Sequence, residues 1–94
     1  MARLPFAQRS EIPEELRYVW DNNTTQGVLP DIFRVMANNA VAWRAYLRMG
    51  SALWSSCGLD PARRELAILR AAILQHSAYE WHQHVRIGRQ AGLS

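Results

Sequence analysis

Asp60-Pro61-Ala62-Arg63-Arg64-Glu65-Leu66-Ala67-Ile68-Leu69-Arg70-Ala71-Ala72-Ile73-Leu74, followed by Ser77-Ala78-Tyr79-Glu80-Trp81-His82-Gln83-His84-Val85-Arg86-Ile87-Gly88, decides the fold. Asp60 caps and Pro61 opens a helix that is expected to run to about His76. Ser77 opens the next, which is expected to end at Gly92. The first is apolar over a wide arc (Leu66 to Leu69 and Ala71 to Leu74), which predicts a central position. The two form a helical hairpin, the second half of the chain. Glu65 lies on its first helix. Glu80 and His84 lie one turn apart on the second, on the face that also carries Trp81, Ile87, Gly88 and Ala91. Ionisable groups on an apolar face cost free energy unless they are paired, so the trio asks for a chemical reason.

Upstream, the periodicity remains helical. Trp43, Tyr46, Leu47, Gly50, Leu53, Trp54 and Cys57 form one helical stripe, with Arg44, Arg48, Ser51 and Ser55 opposite. Asn38 or Asn39 caps this helix and Gly58 ends it. Pro30-Asp31 opens a short helix with Ile32, Phe33 and Met36 apolar. Pro13, followed by Glu14 and Glu15, opens another through Leu16, Val19 and Trp20, which stops by Gly27. Residues 1–12 are expected to be an extended arm, because Pro5 disfavours helix before it, and Leu4 and Phe6 are available to dock on a neighbour. Period-two alternation is absent, so the fold class is all-α, with residues 1–94 as one domain. The close, Gly92-Leu93-Ser94, pairs a helix C-cap with a further N-cap. It is expected to mark a cut through a larger helical domain, or a short form that completes its core by oligomerising.

Composition narrows the function. Four Trp, three Tyr and two Phe in 94 residues exclude a disordered chain and favour self-association. The net charge of +3 rests on eleven Arg and no Lys, scattered with only Arg63-Arg64 adjacent. Nucleic-acid binders cluster their basic residues, so no nucleic-acid partner is expected. No apolar run approaches the roughly 18 residues that span a bilayer, and no signal peptide is legible, so a cytoplasmic protein without a membrane partner is expected. The single Cys57 excludes an intrachain disulfide, and its place on the apolar stripe predicts a buried, inert thiol. His82 and His84 project about 200° apart on a helix and cannot chelate one ion together, so no metal site and no cofactor are expected. The four tryptophans are expected in the core.

The run from Asp60-Pro61 through Arg64-Glu65-Leu66-Ala67-Ile68-Leu69-Arg70, with Tyr79-Glu80-Trp81, His84-Val85 and Ala91-Gly92-Leu93-Ser94, resembles the carboxymuconolactone decarboxylase family, which includes the alkylhydroperoxidase AhpD-like proteins. The resemblance is strongest over residues 59–94, and Ala2-Arg3-Leu4-Pro5 and Leu29-Pro30-Asp31-Ile32-Phe33 also look like longer members. It implies an AhpD-like helical bundle that assembles into homotrimers or homohexamers. The peroxidase branch places a Cys-x-x-Cys pair between a Glu and a His. Here Glu65 and His84 keep that frame, while Ser77 and Glu80 stand at the thiol positions. Neither can attack a peroxide as a thiolate or resolve a sulfenic acid. The decarboxylase branch, which uses a His and nearby acids on a lactone carboxylate, is the better match.

That resemblance implies His84 as proton shuttle, Glu80 as its orienting partner one turn away, and Glu65 as second acid. Ser77 is a minor donor to a small anionic substrate, and Arg70 or Arg86 would hold its carboxylate. The alternative is a non-catalytic oligomerisation or interaction module of the same fold. In that case Glu80–His84 is only a satisfied pair, Glu65 pairs with Arg63 or Arg64, Ser77 is only a cap, and no cavity adjoins His84. The enzyme requires a concave pocket at the trio.

Overall fold

The computed structural model describes residues 3–94; Met1 and Ala2, at the start of the expected arm, lie outside the described residues. Five α-helices account for most of it: α1 (Arg17–Asn22), α2 (Asp31–Met36), α3 (Ala40–Ser55), α4 (Pro61–Leu74) and α5 (Ala78–Gln90). Short 3-10 turns at Arg9–Glu11 and Glu14–Leu16 precede them. Among the described residues there is no strand, only an isolated bridge between Thr25 and Val28. The fold is all-α, as its periodicity predicts. The chain divides into two compact units, one through Ser51 and one over Ala52–Ser94, and α3 runs across the boundary.

The first unit holds the hydrophobic core. Ala7, Ile12, Leu16, Val19, Leu29, Ala37 and Trp43 are buried together, with Trp20, Phe33, Met36 and Leu47 packed against them. Trp20 meets Trp43 edge-on at 6.3 Å. The Trp43 indole N–H has no partner among the described residues. Leaving it unpaired costs about 1–3 kcal/mol, which burial of so large a ring offsets. The expected extended arm is in part a core element. Ala7 N donates to the Arg34 carbonyl at 3.1 Å, Asn38 Nδ2 donates to the Pro5 carbonyl at 2.7 Å, and Ile12 is buried at the end of the first 3-10 turn. Leu4 and Phe6 remain exposed. Arg9 and Asp21 form a two-pronged ion pair, both bonds 2.8 Å. At Gln26-Gly27 both residues adopt positive φ, and Thr25 and Val28 exchange two 3.0 Å backbone bonds around them. This left-handed turn suits Gly27 and ends the α1 segment where the sequence predicts.

The second unit contains the hairpin. Asp60 accepts from Arg63 N at 3.1 Å and caps α4, and Ser77 accepts from Glu80 N at 3.4 Å and caps α5. Both helices close with the same motif. Ser77 N donates to the Ala72 carbonyl and His76 N to that of Ile73; Leu93 N donates to Gly88 and Gly92 N to Arg89. The left-handed position in this motif favours glycine. Gly92 supplies it for α5, but His76, at φ 52°, fills it for α4. The helices approach closely at Gly88, where an added Cβ would lie 3.0 Å from Leu93 Cδ1 and 3.5 Å from Glu65 Cβ.

Burial in this unit corrects several expectations. Only Glu65 and Ala72 of α4 are buried, while Leu66, Ile73 and Leu74 are at least half exposed. Trp54, Trp81 and Leu53 are also exposed, so the tryptophans do not all join a core. Cys57 is exposed and not buried, and its Sγ donates to the Leu53 carbonyl at 3.0 Å. The physical reason is common to all. An amphipathic stripe states which face requires cover, and the 43-residue hairpin unit supplies too little chain to cover its own.

Candidate functional site

The site grows from the first turn and a half of α4. Asp60 and Pro61 fix where the helix begins, and that register places Glu65 on the side facing α5. Its side chain is 0% exposed. A carboxylate so enclosed requires donors, and it has two. Arg64 Nε donates to Oε1 at 2.9 Å, and His84 Nδ1 lies 2.5 Å from Oε2. A carboxylate paired with a guanidinium only accepts, so the ring nitrogen facing it carries the hydrogen. His84 is thereby held as the Nδ1–H form, with Nε2 on the opposite edge. Glu80 Oε2 lies 3.4 Å from that Nε2.

Burial grades outward along this line. Glu65 is sealed, the His84 side chain is 15% exposed and that of Glu80 34%. Exposure thus rises from Glu65 through His84 to Glu80, and the trio lines neither the groove at Ser77 nor the groove at Arg44 and Arg48. Arg64 is fixed on three sides. Its Nη1 donates to the Trp54 carbonyl at 3.0 Å, and its guanidinium carbon sits 3.5 Å above the centre of the Trp54 ring. Trp54 also meets the His84 ring, tilted 57° at 6.3 Å. This stacked, two-acceptor geometry suits arginine and not lysine.

The structure thus brings Glu65, His84 and Glu80 together, and it sets their geometry differently from the spacing. The one-turn relation suggests Glu80 as the orienting partner, but Glu65, from the other helix, makes the short bond. Backbone geometry on one helix brings i and i+4 near each other; it does not decide which nitrogen of the ring finds the better acceptor. Ser77 caps α5 and helps line an open groove of about 600 Å³ with His76, Trp81 and His82. His84, Glu80 and Glu65 do not line that groove. Arg70 and Arg86 are exposed on the hairpin. The arginine that engages the trio is Arg64. With Trp54 it is the contribution that sequence reasoning gave least weight. Its signal was the Arg64-Glu65 dipeptide, in which Arg64 figured only as a possible ion-pair partner. Among the described residues no cluster of three or more His, Cys, Asp or Glu could hold a metal ion, and no helix is long and apolar enough to cross a membrane.

Residues 40–94, which include α4, α5 and every member of the trio, match the carboxymuconolactone decarboxylase family. No curated protein and no solved structure gave a match. With more than half of its length matched, including the sealed glutamate and the histidine it holds, this chain belongs to the carboxymuconolactone decarboxylase family.

Proposed function

We propose that the chain is a carboxymuconolactone decarboxylase-like protein that moves a proton with His84 on a small lactone or carboxylic acid, without thiol peroxidase chemistry. The observation that supports this most is the 2.5 Å bond from Glu65 to His84 Nδ1, which leaves Nε2, on the side of the more exposed Glu80, to exchange a proton. Glu65 holds the tautomer and stabilises the imidazolium when it forms. Arg64, itself braced by Trp54, holds Glu65. Glu80, 3.4 Å from Nε2, stands where a proton enters or leaves. In a β,γ-unsaturated lactone acid, cleavage of the C–CO2⁻ bond places the electron pair in a dienolate. Nε2 has by then taken a proton from solvent by way of Glu80; the imidazolium Nε2–H gives it to carbon, which returns the ring to its neutral Nδ1–H form. Ser77 and Glu80 at the thiol positions support the exclusion of disulfide cycling.

The test is CO2 release from a panel of small unsaturated lactone acids. His84→Ala is expected to abolish it while circular dichroism stays helical. Turnover that survives in His84→Ala refutes the role of the imidazole.

A second reading, an oligomerisation module of the same fold, is favoured by the exposed Leu66, Ile73, Leu74 and Trp81, and by the trio's lining neither groove, where the enzyme requires a pocket. The two are compatible, since self-association would cover these side chains. A homotrimer or homohexamer is the proposed assembly, and light scattering on Leu66→Ser with Ile73→Ser checks it by a loss of mass.

A further inference from the structure

A groove of about 260 Å³ in the first unit is lined by side chains of α1, the residues after it and α3, and nothing above gives it a role. Arg44 and Arg48 line it one turn apart. Three other arginines of this unit are engaged. Arg9 pairs with Asp21, Arg17 donates to the carbonyls of Ser10 and Ile12, and Arg34 pairs with Asp31. Neither Arg44 nor Arg48 has a hydrogen bond or ion pair among the described residues, and no carboxylate lines the groove. Two like charges one turn apart oppose the helix that carries them, and an anion between them relieves this. Asn22 and Tyr18, which carry donor groups, line the same groove, and Val19 and Leu47 give its lining an apolar part.

We propose that this groove binds a small organic anion, a carboxylate or phosphate carried on a compact apolar body. The guanidiniums hold the anionic oxygens in the forked geometry that arginine favours, and the body lies on Val19 and Leu47. The volume suits a single small ring.

The probes are benzoate and inorganic phosphate, added to the full chain and followed by amide NMR shifts. Benzoate is expected to move the Asn22 side-chain signal and the backbone signals of residues 44–48. Arg44→Gln with Arg48→Gln is expected to weaken it at least tenfold. Arg63→Gln with Arg89→Gln, which removes the same charge elsewhere, is expected to leave it unchanged. Helix propensity is conserved in these changes, and a retained Tm confirms folding. Equal loss in both double variants, shifts spread over the surface, or no benzoate binding at all would overturn the proposal. Phosphate binding more tightly than benzoate would overturn the role given to Val19 and Leu47.

Discussion

Replacing Glu65 by Gln tests the site at its root, because the change conserves volume and removes only the charge. The side chain is sealed and sits between an N–H of Arg64 and the Nδ1 of His84. A carboxylate accepts from both. An amide has one oxygen and one NH2, so it satisfies both neighbours only if its oxygen faces Arg64, whose Nε–H cannot become an acceptor. Its NH2 then faces His84, and Nδ1 must accept. The ring proton moves to Nε2, where it points at Glu80 Oε2, 3.4 Å away. Glu65→Gln is therefore expected to switch the tautomer of His84 while the fold survives. The ion pair with Arg64 becomes a guanidinium–amide bond and the bond to His84 becomes neutral, at a cost of about 1–2 kcal/mol. Glu65→Ala leaves Arg64 and His84 without their shared acceptor and opens a cavity, and it is expected to cost more, about 3–5 kcal/mol. Ring ¹⁵N shifts of His84 report the tautomer, and urea unfolding reports the cost. An unchanged tautomer in Glu65→Gln, or an Ala variant within about 1 kcal/mol of the parent, refutes the assigned hydrogen bonds.

Three further outcomes follow from the same geometry. His76 occupies a left-handed position that favours glycine, so His76→Gly is expected to stabilise the hairpin by about 1 kcal/mol in denaturant unfolding. The hydrogen bonds from Arg9 hold the Asp21 carboxyl below its usual range. The pair thus contributes stability above the ordinary aspartate pKa, near about 4, and loses it as pH falls through the depressed value. The Tm gap between the parent and Asp21→Asn is expected to be present at neutral pH and to close in acid. Cys57 is exposed, so a thiol reagent is expected to titrate one equivalent in the native chain, while Cys57→Ser leaves any peroxide consumption unchanged.

Local chemistry made the helix ends legible. Asp60-Pro61, Ser77 and Asn39 each act within three residues of themselves, and each caps as expected. The trio was legible because two of its members share a helix and the third sits in a recognisable frame. Partner choice within it was not. Glu65 and Glu80 offer the same carboxylate, and only the packing of α4 against α5 gives Glu65 the shorter bond. Arg64 was legible only as a neighbour of Glu65. Its second acceptor and its stacking surface come from Trp54, ten residues away on α3. The exposure of Cys57, Trp54 and Leu66 was hidden for another reason: an apolar stripe is the same in sequence whether its cover lies in its own chain or in another molecule.

Gly88 gives the hairpin a gauge. With no side chain there, the backbone of α5 lies near enough for Glu65 Cβ to be 3.5 Å from the point a methyl group would occupy. A bulkier residue would act as a spacer between the helices. The direct bond from carboxylate to imidazole would lengthen into a gap that only a water could span, and the ring would be free to turn. The precision of the carboxylate–imidazole bond is in this sense guarded by the side chain that α5 omits at this position.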